Sequence, residues 1–246
     1  MDRMLYIAMS GAKEIMLQQT NTTNNLANAN TVGFKRDLEA FKAVPIDGPG
    51  YASRVYTQDQ GVGTDFSAGP TISTGNPLDI AVKGQGWIAV QGPNGQEAYT
   101  RAGQLKIDGN GILTTSQGYP VIGNSGPISI PPSDKIDIGS DGTITVRPTG
   151  QQPNALAVVD RIKLVNPPES NLVKGASGLM ETRNGTPAPA DANVNVVSGM
   201  VEGSNVNTVE SMVRMISLAR QYELQVKVMK TSEQNDQASA QLIRLG

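Results

Sequence analysis

The sequence contains no cysteine and no histidine among its 246 residues. The chain therefore lacks the usual soft metal ligands, disulfides, thiol nucleophiles and histidine general bases. Aromatic residues make up only 4%, and 20 Lys and Arg against 22 Asp and Glu leave a net charge of −2. This balance argues against nucleic acid as a partner, because nucleic-acid interfaces are strongly basic. We expect no catalytic residue, no cofactor and no metal.

Long apolar runs are also missing. The stretch Met4–Met9 is much shorter than the roughly 20 apolar residues that cross a bilayer, so we expect no membrane span. Asp2 precedes Arg3 and a polar segment follows, unlike a secretory leader with a basic start and a long apolar core. If the protein leaves the cytoplasm, we expect it to do so without a cleaved signal peptide.

The two ends of the chain carry the spacing of α-helices. Between Leu5 and Leu26 apolar and small residues recur every three or four positions, which predicts an N-terminal helix. Asn207 begins a stretch without Gly or Pro until Gly246, in which roughly 36 residues at about 1.5 Å each predict a helix on the order of 50 Å long. The residues expected to pack between helices are Leu5, Ala8, Ala12, Ile15, Leu26, Met212, Met215, Ala219, Tyr222, Val226 and Met229.

The middle of the chain changes to an alternating period of two. Leu78–Lys83, Thr143–Val146 and Arg161–Leu164 alternate apolar and polar residues, which is typical of half-buried strands. Asp108–Gly111 and Asp141–Gly142 separate such segments with residues that accept positive φ. They predict antiparallel hairpins.

The predicted fold class is α+β. Residues 1–35 and 206–246 are expected to form a terminal helical domain, in which the two long helices make an antiparallel, coiled-coil-like pair. Residues 74–165 are expected to form a mainly antiparallel β-domain. Residues 36–73 and 166–205 are rich in Gly and Pro, which predicts extended connectors with little helix.

Two separate segments resemble the signatures of a known family. Leu26–Lys35 closely resembles the N-terminal signature of the flagellar rod and hook proteins, and Val201–Val206 resembles their C-terminal signature. Gly75–Trp87 and Tyr99–Gly103 are similar to the β-domain that the rod and hook members share. Within the family, the opening segment Met1–Lys13 resembles the proximal rod members most, with the distal rod members as the nearest rival.

Two positions depart from the family pattern. Trp87 and Ile88 stand where relatives usually carry paired Phe, and Gln225 stands where an Asn is expected. The first departure bears on packing in the β-domain, and the second on contacts of the C-terminal helix.

The resemblance implies a structural subunit of the bacterial flagellar basal-body rod, which crosses the periplasm. It implies export through the flagellar type III apparatus, and proximal and distal rod proteins as partners in a helical tubular drive shaft that transmits torque. Head-to-tail packing of unlike surfaces produces such open filaments. The residues implied in contacts at the helix ends are Asn28, Asn30, Thr31, Gly33, Phe34, Gly203, Ser204, Asn205 and Val206.

Three other interpretations stay open from the sequence. The first is a distal rod or hook paralogue of the same family. The second is an enzyme on a β-scaffold, with carboxylates such as Asp137 and Asp141 as acid and base. The third is a monomeric binding module, which predicts terminal helices that are fully ordered in dilute solution.

Overall fold

The computed structural model describes residues 3–45, 55–150 and 156–245. Within them the chain is α+β, with a long helix near each end and antiparallel strands between, and neither helix is long and apolar enough to span a bilayer. The elements are α1 (Arg3–Ala27), β1 (Asp37–Pro45), β2 (Val55–Thr64), β3 (Thr71–Ser73), β4 (Ile80–Lys83), β5 (Trp87–Gln91), β6 (Glu97–Thr100), β7 (Leu105–Ile107), β8 (Leu113–Thr115), β9 (Ser133–Ile138), β10 (Thr143–Pro148), β11 (Ala157–Arg161), β12 (Leu164–Val165), β13 (Leu172–Lys174), β14 (Met180–Thr182), β15 (Asn195–Ser198), β16 (Met200–Glu202) and α2 (Thr208–Leu245).

Both predicted terminal helices are confirmed. α2 begins at its expected cap, because the Asn207 side-chain oxygen accepts hydrogen bonds from the N–H groups of Val209 and Glu210 at 3.0 and 3.2 Å. These bonds satisfy two of the donors that a helix start leaves without an intrahelical partner. The 38 residues of α2 correspond to about 57 Å of helix.

Both predicted hairpins are confirmed as well. β7 pairs antiparallel with β8, and Ile107 lies opposite Leu113. The Asp108 carboxylate stabilises the turn by accepting hydrogen bonds from the N–H groups of Asn110 and Ile112 at 2.9 and 2.8 Å. β9 pairs antiparallel with β10 across the second turn.

The prediction of one strand over Arg161–Leu164 was wrong. β11 ends at Arg161 and β12 begins at Leu164. Between them Ile162 is 1% exposed, and its N–H donates to the backbone oxygen of Gly142 at 2.9 Å. The N–H of Lys163 donates to the backbone oxygen of Ile122, also at 2.9 Å. These bonds divide the alternating pattern between two sheets, which periodicity alone does not reveal.

The chain divides into two units that each hold their own elements. The first unit contains α1, β1, β2 and α2, and the second contains β3 to β16. By residue number the first unit is Met1–Ala29, Arg36–Asp65 and Val206–Gly246, and the second is Asn30–Lys35 and Phe66–Asn205.

Strands occupy much of the Gly- and Pro-rich sequence that we expected to form connectors. β1 pairs antiparallel with β2 inside residues 36–73. Residues 166–205 carry β13 to β16, which pair with β14, β6, β4 and β3. β13 and β14 form a local hairpin, but the partners β6, β4 and β3 are distant in sequence, so local composition does not disclose those three pairings.

The sheet around β5 separates two hydrophobic clusters in the second unit. It has the order β12-β5-β6-β14-β13, and its described pairs are antiparallel. Ile88 and Val90 point into one cluster, whereas Trp87 and Ala89 point into the other. A strand buried on both faces needs an apolar residue at every position, which explains the continuous run Trp87–Val90. The departure from paired Phe is therefore accommodated by one side chain in each cluster.

β15 and β16, the last strands of the second unit, pair with β4 and β3, which are its first strands. In β15, Val196 lies opposite Val82 of β4. In β16, Val201 lies opposite Ile72 of β3. This pairing brings the segment that precedes α2 next to the residues that follow Phe66.

Candidate assembly interface

The helices α1 and α2 lie side by side in the first unit and run in opposite directions. Gly11 of α1 faces Gln225 of α2, where a Cβ atom on Gly11 would lie 3.3 Å from Gln225 Nε2. Towards the other end of α1, Asn25 and Ser211 line one small cavity. The residue numbers at these contacts rise along α1 and fall along α2, so the two helices form an antiparallel pair. Gln225, the departure from the family pattern, therefore packs against the one glycine of α1.

The face of α1 that is covered in this chain consists mainly of small side chains. Ala8, Ala12 and Ile15 are 4%, 7% and 8% exposed. Alanine buries little apolar area, so this face contributes little hydrophobic stabilisation per residue. It does allow close approach of another helix.

α2 is apolar on two opposite sides. Leu218 is 3% exposed, whereas Val209 and Val213 are 70% and 62% exposed. At about 100° per residue Leu218 lies on the opposite face of the helix from Val209 and Val213. The second apolar face of α2 is thus uncovered by the part of the chain that the structure describes.

The expected helix-packing residues fall into three classes of exposure. The buried ones are Ala8, Ala12 and Ile15, the half-buried ones are Leu26, Met215, Ala219, Val226 and Met229, and the exposed ones are Leu5, Met212 and Tyr222. Their role in contacts with neighbouring molecules stays a prediction.

Residue spacing marked the second face of each helix through Met212 on α2 and Leu5 on α1, but it left out the other members of these faces. On α2 the omitted residues include Val209, Val213 and Ile216, and on α1 they include Met9 and Met16. The signal was present, since these residues recur at steps of three, four or seven positions. A single heptad register hides a second stripe, because it follows one line of residues along the helix.

Gly33 is fixed where the N-terminal signature meets the C-terminal one, inside the second unit. Its φ is +70°, a left-handed conformation that favours glycine. Its N–H donates a hydrogen bond of 2.7 Å to the backbone oxygen of Glu202. A Cβ atom at this position would lie 2.2 Å from the backbone nitrogen of Ala102. Backbone shape and close approach both require glycine here.

A buried charge triad joins three distant segments of the second unit. Lys35 Nζ lies 2.6 Å from Glu202 Oε1, and Arg101 Nη1 lies 2.8 Å from Glu202 Oε2. The three side chains are 3–6% exposed. The N–H of Gly69 donates a further hydrogen bond of 3.0 Å to Glu202 Oε1. We refer to Lys35, Arg101 and Glu202 as the charge triad.

The surroundings of Glu202 keep its carboxylate ionised at neutral pH. Burial by itself would raise the pKa of Glu202, but the hydrogen bonds from Lys35 and Gly69 and the charge of Arg101 hold the pKa below its ordinary value. Arg101 also donates from Nη2 to the oxygen of Gly84 at 2.8 Å, and its guanidinium lies 5.3 Å from the centre of the Trp87 ring. These contacts offset part of the cost of burying the charges, since Arg101 Nε is buried without a hydrogen-bond partner among the described atoms.

The rest of the C-terminal signature is held by backbone hydrogen bonds. Gly203 N–H donates to the oxygen of Pro70 at 2.8 Å. The backbone N–H of Asn205 donates to the backbone oxygen of Phe34 at 3.4 Å, and its side-chain amide donates to the backbone oxygen of Ser67 at 3.2 Å. Ser204 is buried at 7% exposure, and Val206 is half-buried.

The remaining expected residues of the N-terminal signature are less buried. Asn28 donates from its side-chain amide to the oxygen of Asn24 at 3.0 Å, which extends the last turn of α1. The oxygen of Thr31 accepts from the N–H of Phe34 at 3.3 Å, and the Phe34 ring lies 4.1 Å from Lys174 Nζ. Asn30 is exposed.

The three triad residues lie inside the segments that resemble the family signatures, but none of them is among the residues predicted for the site. The available signal was a Lys next to Gly33-Phe34 and a Glu before Gly203, two opposite charges beside glycines. Arg101 gave no comparable signal, because its neighbour in space is 101 residues away in sequence.

The carboxylates considered for catalysis bond to side chains close to them in sequence, Asp137 on β9 and Asp141 in the turn that follows β9. Asp137 lies 2.7 Å from Lys135 Nζ in a largely exposed ion pair. Asp141 accepts from the hydroxyl of Thr143 at 2.6 Å, and this bond holds the pKa of Asp141 below its usual range. Neither carboxylate lies in a buried cleft, and among the described side chains no group of Asp and Glu is placed to hold a metal ion.

Three sequence families match this chain. Residues 5–35 match the family described as "Flagella basal body rod protein". Residues 81–146 match "Flagellar hook protein FlgE/F/G D1 domain", and residues 197–242 match "Flagellar basal body rod FlgEFG protein C-terminal".

Full-length relatives give the same picture. The chain is 39% identical over 251 residues to "Flagellar basal-body rod protein FlgF" of Salmonella typhimurium, and the match covers 100% of both chains. The FlgF protein of Escherichia coli K12 is also 39% identical over the same span and coverage. "Flagellar basal-body rod protein FlgG" of Buchnera aphidicola subsp. Schizaphis graminum is 34% identical over 261 residues, with 97% of this chain and 98% of that one covered.

Proposed function

The chain belongs to the FlgF family of flagellar basal-body rod proteins, and from this premise we propose that it is a structural rod subunit whose terminal helices pack against those of neighbouring subunits. In this proposal α1 and α2 form a coiled-coil-like pair in the inner layer of the rod. The second unit forms the outer layer. Head-to-tail contacts between unlike surfaces extend without closing, so the subunits form a helical tubular shaft. In this proposal the shaft transmits torque.

The uncovered apolar face of α2 carries this proposal. Val209, Val213 and Ile216 are 70%, 62% and 57% exposed in the single chain. Contiguous apolar surface of this kind normally marks a contact with another molecule. α1 carries a similar face with Met9 and Met16, at 55% and 62% exposed. A helix pair with apolar residues on both outer faces suits burial within a bundle of several subunits.

The expected packing residues have complementary roles in the proposal. Ala8, Ala12 and Ile15 pack within the pair, whereas Met212 and Tyr222 contact helices of other copies. The half-buried Ala219 lies between the two faces of α2. The signature residues from Asn28 to Phe34 and from Gly203 to Val206 support the ends of the helices.

A charged substitution at Ala219 tests the proposal. Ala219→Asp introduces a carboxylate where the proposal requires an apolar helix contact, and desolvating an unpaired charge is costly. We expect the variant to be absent from purified basal bodies and unable to restore swimming in cells that lack this subunit. Ala192→Asp is the matched control, because Ala192 is exposed in the second unit. Normal incorporation of Ala219→Asp would contradict the proposal.

Partners and location follow from the same premise. We propose that proximal and distal rod proteins are the neighbours, that the assembled rod crosses the periplasm, and that the flagellar type III apparatus exports the chain. A chain without cysteine needs no disulfide to be reduced before export.

A distal rod or hook role is the second candidate, and the similarity to FlgG over 97% of the chain favours it. The two roles differ in stoichiometry, since a proximal component is expected in few copies per basal body. Quantitative mass spectrometry of purified basal bodies separates them. An enzyme role has less support, because Asp137 forms a largely exposed ion pair with Lys135 and Asp141 lies in an exposed turn. The enzyme role would be supported if an enzymatic activity were measured and were lost in Asp137→Asn or Asp141→Asn.

A further inference from the structure

The chain passes between its two units at four places, and three of these lead into one small region of the second unit. The passages are at residues 29–30, 35–36, 65–66 and 205–206. Lys35, Phe66 and Asn205 are the residues of the second unit at the last three. Any load that the covalent chain carries between the units passes through these places.

Hydrogen bonds tie these segments to one another within the second unit. Lys35 Nζ donates to the oxygen of Ser67 at 2.7 Å, one residue beyond Phe66. Asn205 donates to the same oxygen at 3.2 Å. Lys174 Nζ donates to the oxygen of Lys35 at 3.0 Å and holds that segment from another strand.

Glu202 is the side chain on which these segments converge. Its Oε1 accepts from Lys35 and from Gly69, its Oε2 accepts from Arg101, and its backbone oxygen accepts from Gly33. The segments concerned are widely separated, since Lys35 and Glu202 are 167 residues apart. Local structure therefore does not hold them together.

We propose that the charge triad is a clamp, in which Glu202 locks the segments Asn30–Lys35, Phe66–Gly69 and Met200–Asn205 into one body and so fixes where the chain enters and leaves the second unit. The clamp rests on the contacts of the second unit. Its use in the rod, as the place where load leaves the terminal segments, rests on the proposed function.

The clamp predicts an order of effects that ordinary packing does not. Glu202→Gln removes the negative charge that contacts both Lys35 and Arg101, and it leaves two buried cations near each other. Lys35→Met keeps the pair of Arg101 with Glu202. The loss of the shared carboxylate should therefore be far more damaging than the loss of one cation.

Amide hydrogen exchange of the full-length protein measures this order. For Glu202→Gln we expect exchange of the Gly33 and Gly69 amides to accelerate by about 100-fold or more, the factor that corresponds to breaking a buried ion pair. For Lys35→Met we expect about tenfold. The Leu113 amide, which donates to Ile128 at 2.9 Å, reports on the rest of the second unit and should change much less.

Glu97→Gln is the matched control. Glu97 makes a single ion pair of 2.7 Å with Lys163, at 11% and 19% side-chain exposure. The same chemical change at this position should leave the Gly33 and Gly69 amides within about threefold of the wild-type rates, because it leaves the charge triad intact.

The clamp is overturned if Glu202→Gln leaves the Gly33 and Gly69 amides as slow as in the wild type, or if Lys35→Met accelerates them equally. If Glu202→Gln also accelerates exchange of the Leu113 amide, the result for Lys35→Met decides whether the clamp stands. Faster exchange of only the Gly33 and Gly69 amides in Lys35→Met then supports the clamp, and unchanged exchange of these amides overturns it. Failure of the wild-type chain to enter basal bodies would instead refute the proposed function, so the two failures are distinguishable.

Discussion

Gly33 and Ala102 approach so closely that a Cβ atom on Gly33 would lie 2.2 Å from the Ala102 backbone nitrogen. Gly33→Ala must therefore relieve a backbone clash as well as a φ of +70°. We expect a loss of at least about 3 kcal/mol in the free energy of unfolding, with about 1 from φ and about 2 from overpacking. Urea unfolding of the purified chain measures it.

Gly185 offers a matched control for this substitution. Its φ is +66°, but a Cβ atom there has no neighbour within 4 Å. Gly185→Ala should therefore cost only the conformational part, about 1 kcal/mol. Equal losses in the free energy of unfolding for the two variants would show that the close approach to Ala102 adds no cost to the Gly33→Ala substitution.

The lowered pKa of Glu202 predicts a loss of stability in acid. Because the folded pKa lies below the ordinary value of 4.5, the stability that the ionised carboxylate contributes is present above 4.5 and is lost as the pH falls through the lowered value. Unfolding midpoints of the wild type and Glu202→Gln should differ at about pH 6 and converge as the pH falls below 4.5 and through the lowered pKa. A constant difference across this range would contradict the assignment.

Tyr99 predicts the opposite dependence in alkali. Burial raises the pKa of the Tyr99 hydroxyl to about 12, and the charge of Glu97 adds to this effect. Its contribution to stability is therefore present below its ordinary value of 10.0 and is lost as the pH rises through about 12. The change in ultraviolet absorbance on ionisation of the folded protein reports the pKa directly.

Tyr99→Phe tests the neutral-pH role of the same hydroxyl. The hydroxyl accepts a hydrogen bond of 2.7 Å from the Ala188 N–H, which the variant leaves unpaired. We expect a loss of about 1–3 kcal/mol at neutral pH and a weaker dependence on pH in alkali than in the wild type. Unchanged stability would contradict a structural role for this bond.

Local sequence signals accounted for the helices and the hairpins. Asn207 at the start of a long stretch without Gly or Pro placed α2, and Asp108 at a Gly-rich turn placed the β7–β8 hairpin. Signals of this kind work because the cap or turn residue bonds to backbone atoms within a few positions. The alternation of Ile144 and Val146 with threonines likewise placed β10, whose two apolar residues are 0% and 1% exposed.

The charge triad and the outer strands could not be predicted in the same way. Glu202 meets Lys35 and Arg101 only after β16 has paired with β3. Strand pairing between distant segments depends on the whole fold. The second apolar face of α2 was accessible in principle, but its meaning depends on which face α1 covers.

The terminal helices should be only marginally protected in the isolated chain. Ala8 and Ala12 bury little area, and Val209 and Val213 stay largely exposed, so the helix pair gains little stability without neighbours. We expect fast amide exchange before about Asn30 and after about Val206, with slow exchange at Leu113. Strong protection of both helices in dilute solution would favour a self-sufficient monomeric module.

A density map of purified basal bodies at side-chain resolution tests the account most directly. It should place this chain in the rod, with Val209, Val213 and Ile216 of α2 buried against helices of neighbouring subunits. Absence of the chain from the rod, or a rod position in which this face of α2 stays exposed to solvent, would contradict the account.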